Sequence, residues 1–325
     1  MTADAPSLSL ALAVPLALLI DHLWGEPPVR LHPVVWMGKA LGWAGERCAP
    51  PAARAHGQFD AKNLGIFCAS ALYWCALAAS VVACAWLLQL ACLLLPPWAA
   101  VLGLAVCLKP LLAWRMLRTE VQAVEAALGQ SLEAGRERLS WLVSRDVTGL
   151  TEVEVRESAL ESLAENLNDS VVAPLFWFAI AGLPGAALYR FANTADAMWG
   201  YRGERNGRQW EWAGKWAARA DDALNWLPAR LTALLLWPVG QGVALWRIAR
   251  LTPSPNGGWP MGAMALRLGV RLGKPGVYTL NAAGREAVGS DVARATAHAW
   301  RAVWWAAALC LLLAAVWQPW RVGGA

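Results

Sequence analysis

Residues 158–178 read SALESLAENLNDSVVAPLFWF, in which an acidic, amide-rich half runs without a break into an apolar half. The apolar residues of the first half recur at the spacing of one helix face, so the stretch is predicted to be helical. Glu161, Glu165 and Asp169 follow one another at four-residue intervals, which places them together on another face of that helix. The stretch therefore predicts a helix that carries a line of carboxylates to the edge of an apolar segment.

The composition of the whole chain indicates that lipid surrounds that apolar segment. The 325 residues are 58% hydrophobic and 16% charged, with a mean hydropathy of +0.37. A soluble domain is usually about 45–50% apolar and about 25% charged. The 22 tryptophans fit the membrane–water boundary, where indole rings are enriched. A membrane protein is therefore predicted, and a soluble helical protein with an unusually apolar core is the alternative.

Long apolar runs define the predicted fold, which is all-α: a multi-pass integral membrane protein with about four to six apolar helical segments and cytoplasmic helical loops. The whole chain, residues 1–325, is predicted to be a single membrane-embedded domain. The Pro96–Pro97 pair predicts a tight turn between two spanning helices. The first run has no cleavage site after it, so a retained anchor is predicted rather than a signal peptide. The apolar runs fall at residues 8–20, 64–95, 98–116, 171–192, 227–246 and 302–317.

Two of these runs are interrupted by glycine and proline. The run 171–192 contains GLPG at 182–185, and the run 227–246 contains PVGQG at 238–242. Each half is about ten residues long, which is too short to cross a bilayer alone. A kinked helix that still spans is the commoner outcome and is the prediction for each run. The alternative is a segment that enters the membrane and returns to the same side, shielded by protein.

The long polar segments between the runs all carry Lys or Arg. A chain that simply crosses back and forth should alternate between loops rich and poor in basic residues. We therefore predict that the polar segments gather at one face, the cytoplasmic one, where 117–170, 193–226 and 247–301 form the active-site face. The net charge is only +5 and no run of Lys and Arg occurs, so no nucleic-acid partner is predicted.

The acidic line at Glu161, Glu165 and Asp169 is the first candidate site. Like charges four residues apart destabilise a helix by roughly a few tenths of a kcal/mol per pair. No basic side chain on the same helix neutralises them, since Arg156 falls on another side. Mg²⁺ is usually held by one or two carboxylates together with waters and substrate phosphates, so these three residues are predicted to bind Mg²⁺. A solvated acidic face is the alternative.

Two further polar clusters lie beside apolar runs, where such groups are costly unless they are paired or functional. Asn193 and Asp196 share a helix face in FANTADAMWGYR. Asp221, Asp222 and Asn225 lie together in ARADDALNWLPAR. A carboxylate at these positions is a candidate for taking a proton during catalysis.

Several arginines and one loop are candidates for binding phosphate. Arg145, Arg219 and Arg230 carry guanidinium groups, which match phosphate with two parallel hydrogen bonds; ion pairing with other charges is the alternative for Arg145. Asn256 opens an Asn-Gly-Gly turn whose backbone N–H groups could face an anion, although most such loops are ordinary turns. His32, beside Pro33 in a loop at the membrane edge, is assigned to substrate binding, although a lone histidine is more often structural.

Several motifs are absent from the sequence. There is no GxxxxGK[ST], GxGxxG, HExxH or GxSxG pattern, so the sequence gives no support for a P-loop nucleotide site or a Ser-His-Asp hydrolase. The seven cysteines form no CxxC pair and no zinc spacing. We therefore predict that they are small, buried, apolar side chains in a reducing environment.

Taken together, the motifs resemble those of the adenosylcobinamide-phosphate synthase family of cobalamin biosynthesis (CobD/CbiB type). The resemblance runs in order from about residue 20 to about residue 280, and the combination of motifs is more specific than any one of them. The sequence departs from the family pattern at two places. Ser170 stands where many members have Gly, and residues 274–290 lack the aromatic, Gly-rich sequence of the family. The matching stretches are LWGEPPxxxHPVVWMG, SRDVTGL, ESLAENLNDSVVAPLFW, ANTADAMWGYR, DDALNWLPARLTA and PNGGWPMGAMA.

The resemblance implies a multi-pass enzyme of the cell inner membrane that forms an amide bond. Such enzymes join the free propionate carboxylate of adenosylcobyric acid to aminopropanol phosphate, or to free aminopropanol. The product is adenosylcobinamide phosphate or adenosylcobinamide, and the family reaction uses ATP as co-substrate and Mg²⁺ as cofactor. The implied partners are the corrinoid, the amine, membrane lipid and other enzymes of the pathway.

The resemblance also adds Asn166 and Tyr201 to the candidate residues. The predicted catalytic set is then Asp221, Asp222, Asn193, Asp196 and Tyr201. The predicted substrate- and phosphate-binding set is Arg145, Asn166, Arg219, Asn225, Arg230, Asn256 and His32.

Two other classes of function remain as alternatives. A Mg²⁺-dependent membrane transferase of prenyl diphosphates also uses Asp and Asn clusters on helices, but ENLNDS and NTAD match its motifs only in part. A non-enzymatic membrane scaffold or a transporter would use the acidic line as a partner or ion surface.

Overall fold

The structure is a computed structural model, and it describes residues 5–52, 61–237 and 239–316. The helices that it describes are α1 Ala5–Trp24, α2 Pro33–Cys48, α3 Ala61–Leu93, α4 Pro97–Leu108, α5 Trp114–Leu128, α6 Leu132–Leu139, α7 Glu152–Leu167, α8 Ala173–Trp199, α9 Lys215–Leu235, α10 Gly242–Ile248, α11 Gly258–Leu268 and α12 Gly289–Val316. Short 3₁₀ turns lie at Val29–Leu31 and Lys109–Leu111, and a π-helix lies at Asn168–Val172. The described strands are short and form two antiparallel hairpins, β1 Glu204–Arg205 with β2 Arg208–Gln209, and β3 Leu272–Lys274 with β4 Tyr278–Leu280.

The predicted helical membrane class is confirmed. Four described helical stretches are long and apolar enough to cross a membrane: Ala61–Leu93, Pro97–Leu128, Glu152–Trp199 and Gly289–Leu313. The first of these is the most apolar, and only 22% of its most apolar window is buried within the protein. An apolar helix that is this exposed needs lipid around it.

The turn between α3 and α4 forms at Pro96–Pro97, as predicted. Pro97 occupies the first turn of α4, where proline is well tolerated because its missing N–H has no partner in the helix. The two helices then pack so closely that a Cβ on Gly103 would lie 2.9 Å from Sγ of Cys92. The prediction that all cysteines are buried is wrong for part of α3, because Cys68, Cys75 and Cys84 are exposed.

The apolar run 171–192 folds back on itself, so the predicted kinked spanning helix is wrong. Gly182 adopts φ 62° and ψ −153°, which breaks the helix. A Cβ on Gly185 would then lie 2.4 Å from the carbonyl oxygen of Trp177. Residues eight apart in a continuous helix are separated by about 12 Å. The residues after Gly182, the second limb, therefore run back beside the residues before it, the first limb. We call residues 173–199 the re-entrant hairpin.

Gln89 of α3 stabilises the tip of the re-entrant hairpin. Its Oε1 accepts a hydrogen bond of 2.7 Å from the N–H of Leu183 at the start of the second limb. This satisfies one of the N–H groups that a helix start leaves unpaired. The side chain of Gln89 is buried, which explains how an amide is tolerated in an otherwise apolar helix.

The run 227–246 also returns instead of spanning. Helix α9 ends at Leu235, and the separate α10 begins at Gly242; Pro238, which was predicted to interrupt this run, lies outside the described residues. After α10 the chain is back beside the first half of α9, where Asn256 Nδ2 donates to the carbonyl of Asp222 at 2.8 Å. Both interrupted runs therefore fold back, as the re-entry alternative requires; that each enters the membrane and returns to the same side stays a prediction.

Residues from the polar segments meet at one end of the helices. Arg156 pairs with Glu125 at 2.7 Å, and Arg271 pairs with Glu157 at 3.2 Å. Thr151 and Glu154 form a capping box at the start of α7. These contacts join the segments 117–170 and 247–301; that this end faces the cytoplasm stays a prediction.

Candidate active site

A π-helical turn, Asn168–Val172, divides the predicted line of carboxylates. It joins α7 to the re-entrant hairpin, and π-turns within α-helices are frequent at functional sites. Because a π-turn holds more residues than an α-turn, Asp169 is rotated away from the face that carries Glu161 and Glu165. The three predicted metal ligands therefore point in two directions, into a hydrogen-bonded network and into a cavity.

The network begins at Asp169, which is bonded to the second limb of the re-entrant hairpin. Oδ1 accepts hydrogen bonds from Asn168 Nδ2 at 2.8 Å and from the Tyr189 hydroxyl at 3.3 Å. Oδ2 accepts one from Asn193 Nδ2 at 3.3 Å. Arg190 Nη1 donates to the main-chain oxygen of Asp169 at 3.1 Å. The reversal at Gly182 is what brings these residues, about 20 positions apart, into contact.

Helix α9 completes the network with Asn225 and Asp221. Asn225 Oδ1 accepts from Asn168 Nδ2 at 2.7 Å and from the Tyr189 hydroxyl at 2.8 Å. Its Nδ2 donates to Asp221 Oδ2 at 3.0 Å. Asp169, Asn193, Asp221 and Asn225, which were separate candidates in the sequence, thus form one cluster.

Negative charge accumulates beside this network. Asp221 interacts electrostatically with Asp169 and Asp196, and Asp196 does so with Asp222. Burial, followed by the charges of Asp169 and Asp196, raises the pKa of Asp221 well above its usual value. Among the described residues, no hydrogen-bond donor reaches Oδ1 of Asp221, although that atom is buried. A cation or a donor from a substrate would satisfy it.

Asp222 lies at a more open edge of the cluster. Burial raises the pKa of Asp222, while the charge of Arg202 and a hydrogen bond from Asn256 act in the opposite direction. Asn256 Nδ2 is 3.4 Å from Asp222 Oδ1. The predicted loop around Asn256 therefore does belong to the site, although it is the side chain that makes these contacts.

Arg230 holds that loop in place. Its Nη1 donates to Asn256 Oδ1 at 2.8 Å, and its Nη2 donates to the carbonyl of Pro255 at 3.3 Å. The guanidinium also lies 4.5 Å from the ring centre of Trp226 and 4.9 Å from that of Trp259. The guanidinium is already engaged by the protein on its edge and its faces, so the geometry favours a positioning role over the predicted phosphate-binding role.

The other carboxylates, Glu161 and Glu165, face a polar cavity of about 190 Å³. Arg145 Nη2 lies 3.2 Å from Glu161 Oε2 and donates to Ser158 Oγ at 2.5 Å. Arg145 thus neutralises part of this face from the loop before α7, and the ion-pairing alternative for Arg145 is confirmed. Glu161 is only 4% exposed, which contradicts the alternative of a solvated face at this residue, whereas Glu165 is exposed. We call this space the polar cavity; it is lined by Leu142, Val143, Ser144, Arg145, Ser158, Glu161, Ser162, Glu165, Asn166, Lys274 and Tyr278.

Glu165 lies between the polar cavity and the network. It interacts electrostatically with Glu161 on one side and with Asp169 on the other. A Cβ on Gly257 would lie 3.2 Å from Glu165 Oε1, so the Asn-Gly-Gly loop comes into contact with this carboxylate, which is otherwise exposed. The cavity, the loop and the network are thus parts of one site.

His32 lies at a neighbouring cluster of charges and not in the network. Its Nε2 is 3.1 Å from Glu26 Oε2, and its Nδ1 accepts from the N–H of Val34 at the start of α2. Lys109 lies 2.9 Å from Glu26 and 3.4 Å from Asp21. These contacts give His32 a structural partner on each ring nitrogen, as a capping residue of α2 and an ion-pair partner.

The remaining candidates lie in different places. Asn166 lines the polar cavity and donates to Ser162 O at 3.0 Å. Arg219 is exposed on α9 and takes part in none of the contacts of the network. Tyr201 packs under the guanidinium of Arg205, 3.7 Å from the ring centre, and does not take part in the network either. The structure therefore brings most, but not all, of the predicted residues together.

No group of three or more His, Cys, Asp or Glu side chains within the described ranges is arranged to hold a metal ion unaided. Mg²⁺ needs fewer protein ligands than that, because waters and substrate phosphates complete its coordination. Glu161 is already paired with Arg145, whereas Asp221 retains a buried oxygen without a donor. The chemistry of the site thus fits Mg²⁺ bound together with a phosphate substrate.

Four residues of the site were missed in the sequence. Tyr189 and Arg190 lie within an apolar run, and a charged residue there is a signal of function that could have found them. Lys274 and Tyr278 lie on the β3–β4 hairpin, in the stretch that departs from the expected family pattern. Nothing in their local sequence shows that this hairpin reaches α7.

Comparisons with known proteins agree with the motifs. A family model described as CobD/Cbib protein matches residues 14–306. "Cobalamin biosynthesis protein CobD" of Chromobacterium violaceum is 41% identical over 320 residues, covering 94% of this chain and 97% of that protein. "Probable cobalamin biosynthesis protein CobD" of Methanothermobacter thermautotrophicus is 40% identical over 276 residues, covering 82% of this chain and 84% of that protein. No solved structure matches the chain.

Proposed function

The chain belongs to the CobD/Cbib family, and from this premise we propose that it is an amide-forming enzyme of cobalamin biosynthesis in the cell inner membrane. It joins adenosylcobyric acid to aminopropanol phosphate, or to free aminopropanol, and releases adenosylcobinamide phosphate or adenosylcobinamide. The observation that carries the proposal is the meeting of the carboxylate–amide network with the polar cavity at the ends of the membrane helices. That arrangement offers an acidic site for a carboxylate-activating reaction next to a second, charged subsite.

The proposed chemistry needs an activated carboxylate, because a free carboxylate is a poor electrophile. ATP would supply a phosphoryl group to the propionate, and catalysis of such a transfer consists mostly of positioning and of neutralising charge on the phosphate oxygens. The amine nitrogen then forms the C–N bond, phosphate leaves, and the amine proton passes to a carboxylate. With Asp221 engaged by Mg²⁺, Asp222 is the candidate for that proton, because burial raises its pKa.

Mg²⁺ would be held by Asp169 and Asp221, together with waters and phosphate oxygens of the substrate. When bound, it would supply positive charge to those oxygens during phosphoryl transfer. Of the three ligands predicted in the sequence, only Asp169 stays in this set, because Glu161 pairs with Arg145 and Glu165 faces the polar cavity. Asp221 instead brings the buried oxygen that lacks a donor.

A second cavity of about 660 Å³ is the proposed place for ATP. It adjoins the polar cavity, with which it shares Lys274 and Tyr278. Its volume falls within the range of about 300–1,000 Å³ that is usual for ligands of drug size. Arg271 and the glycines of the β3–β4 hairpin also line it.

The test is turnover by the purified protein in detergent. Adenosylcobyric acid, aminopropanol phosphate, ATP and Mg²⁺ are supplied, and the corrinoid products are identified by mass. We expect a product heavier than adenosylcobyric acid by the mass of the amine minus one water, and we expect Asp221→Asn to abolish formation of this product. Glu133→Gln, which removes a carboxylate from the exposed side of α6, is the matched control and should retain turnover. Binding of the corrinoid without any amide product, with either amine, would contradict the proposal.

The two alternative functions predict other outcomes in the same assay. A prenyl-diphosphate transferase would consume prenyl diphosphate and leave the corrinoid unchanged. A scaffold or transporter would consume none of these substrates. The relatives described above are named for cobalamin biosynthesis, so neither alternative gains support from them.

A further inference from the structure

The polar cavity carries charges of both signs that the protein does not fully pair. Among the described residues, Lys274 has no ion-pair partner within bonding distance of its ammonium group, although it interacts electrostatically with Glu165. Glu161 is 4% exposed, and its Oε1 has no donor among the described residues. A buried oxygen of this kind is costly unless something completes its hydrogen bonding. The cavity therefore has the features of a binding site for a polar, charged ligand.

The size of the polar cavity excludes the large substrates of the proposed reaction. At about 190 Å³ it is below the range of about 300–1,000 Å³ that is usual for drug-sized ligands. Neither a nucleotide nor a corrinoid fits in it. A ligand of only a few heavy atoms does.

The chemistry of the lining assigns the two ends of that ligand. Lys274, Arg145 and the hydroxyl of Tyr278 line the cavity as hydrogen-bond donors. Burial and the charges of Glu161 and Glu165 raise the pKa of Tyr278, so its hydroxyl remains a donor. Glu165, which interacts electrostatically with Asp169, lines the cavity as an acceptor. An anion thus suits the donors, and a cation suits Glu165.

We propose that the polar cavity binds the amine substrate as a small zwitterion, with its phosphate beside Lys274, Arg145 and Tyr278 and its ammonium group beside Glu165. The inference rests on the proposed function and adds to it a site and an orientation. It directs the amine towards Asp169 and Asp221, where the activated carboxylate has to lie. It also makes Lys274 and Tyr278 substrate-binding residues of the β3–β4 hairpin.

The experiment is calorimetric titration of the full-length protein in detergent with three probes. These are aminopropanol phosphate, aminopropanol without the phosphate, and propyl phosphate without the amine. Lys274→Met should weaken the two phosphate-bearing probes by about 10- to 100-fold, the loss expected for a charge-assisted hydrogen bond, and should leave aminopropanol unchanged. Glu165→Gln should weaken the two amine-bearing probes and leave propyl phosphate unchanged or bound more tightly.

Controls separate binding from folding. Lys62→Met removes an exposed lysine from the first turn of α3 and should bind all three probes as the wild-type protein does. Lys274→Arg keeps the positive charge and should restore most of the phosphate affinity. Size-exclusion profiles and tryptophan fluorescence establish that each variant is folded. If Lys274→Met weakened all three probes equally, or none of them, the proposed orientation would be wrong.

Turnover separates this inference from the proposed function. Suppose that the wild-type protein forms the amide, but that Lys274→Met and Glu165→Gln both bind aminopropanol phosphate with the wild-type Kd. This result would overturn the cavity assignment and leave the proposed function standing. If the variants changed probe binding as expected but the wild-type protein formed no amide, the cavity assignment would be supported and the proposed function contradicted. Absence of both binding and turnover in the wild-type protein would overturn both.

Discussion

At the scale of single residues, the site is a set of buried carboxylates held by amide side chains. Such groups are costly in a protein interior unless each lone pair finds a donor. Asp169 satisfies this condition through Asn168, Tyr189 and Asn193. Asp221 does not, because only one of its oxygens accepts a hydrogen bond, from Asn225. A residue that is costly to the fold in this way is a candidate for a role in function.

The first prediction follows from the raised pKa of Asp221. A raised pKa means that the folded state disfavours the charged form of Asp221. At pH values above the usual pKa of 3.8, ionisation of Asp221 therefore lowers the free energy of unfolding. Asp221→Asn removes the charge and keeps an oxygen for Asn225. Without Mg²⁺ at pH 8, we expect the variant to have a Tm about 2–5 °C above that of the wild-type protein, while amide formation is lost.

The pH dependence of that difference is the measurement that tests it. Thermal unfolding is followed by tryptophan fluorescence from pH 8 to pH 4 in EDTA. The gap between the two Tm values should close as the pH falls towards 3.8, where both states of the wild-type protein bind the proton. Added Mg²⁺ should raise the Tm of the wild-type protein more than that of the variant, because the ion binds only the folded state. A gap that does not depend on pH would show that the charge is not the cause.

The second prediction concerns Arg230 as a positioning residue. Lysine cannot reproduce a planar group that bonds Asn256 and Pro255 at its edge while it stacks on Trp226 and Trp259. We expect Arg230→Lys to increase hydrogen exchange in residues 254–258 by about tenfold, as measured by mass spectrometry. This corresponds to the loss of about 1.4 kcal/mol of local stability.

Helix α9 itself supplies the control for the Arg230 prediction. Arg219→Lys changes an exposed arginine of the same helix and should leave that exchange as it is in the wild-type protein. If Arg230 bound phosphate instead of the loop, its lysine variant would change ligand affinity and leave exchange in the loop unaltered.

At the scale of elements, the re-entrant hairpin builds the network. A helix that continued past Gly182 would place Tyr189 about 30 Å along the axis from Asp169, whereas the two side chains are in contact at 3.3 Å. The left-handed backbone at Gly182 and the acceptor from Gln89 fix the point of reversal. Irregular backbone at membrane depth is tolerated where protein shields it, and the buried side chain of Gln89 provides that shielding.

The third prediction compares two glycines in apolar helices. Gly182→Ala would bring its Cβ to 2.2 Å from Gln89 Oε1 at a φ of +62°. We expect it to lower the free energy of unfolding by about 2 kcal/mol or more and to abolish turnover. Gly65→Ala, with no atom within 4 Å of the added Cβ, should be neutral or raise the free energy of unfolding by about 0.5–1 kcal/mol. Unfolding by SDS in mixed micelles gives the free energy of unfolding of both variants. Equal effects of the two substitutions would refute the proposed role of Gly182 in reversing the chain.

At the scale of the whole molecule, the sequence predicted what depends on neighbouring residues. Apolar runs of sufficient length identify the long helices, and the Pro96–Pro97 pair marks the turn after α3. Partners that are distant in the sequence were not predicted. The reversal at residue 182 depends on Gln89, and the pairing of Glu161 depends on the loop that carries Arg145. The π-turn at Asp169 has no periodic signal, so the three carboxylates were expected on one face.

The overall arrangement of charge leads to the last prediction, which concerns sidedness. Glu125 joins two of the polar segments at one end, because it pairs with Arg156 of its own segment, 117–170, and a Cβ on Gly289 of the segment 247–301 would lie 2.6 Å from it. The turn after α3, at the opposite end, is apolar and 87% exposed at Leu94. Basic residues favour the cytoplasmic side of a membrane, so the end around Glu125 should face the cytoplasm.

Single cysteines in a variant without native cysteines test this arrangement. Gln130, Thr151 and Ser290 are exposed at the polar end, and Leu94 is exposed at the other. A membrane-impermeant maleimide should label the first three in inverted vesicles and not in intact spheroplasts, while Leu94→Cys should show the opposite pattern. Both re-entrant runs require this result, because a segment that returns keeps its flanking polar residues on one side. If Thr151→Cys and Ser290→Cys were labelled from opposite sides, the polar segments could not form one face, and the site assembled from them would be wrong.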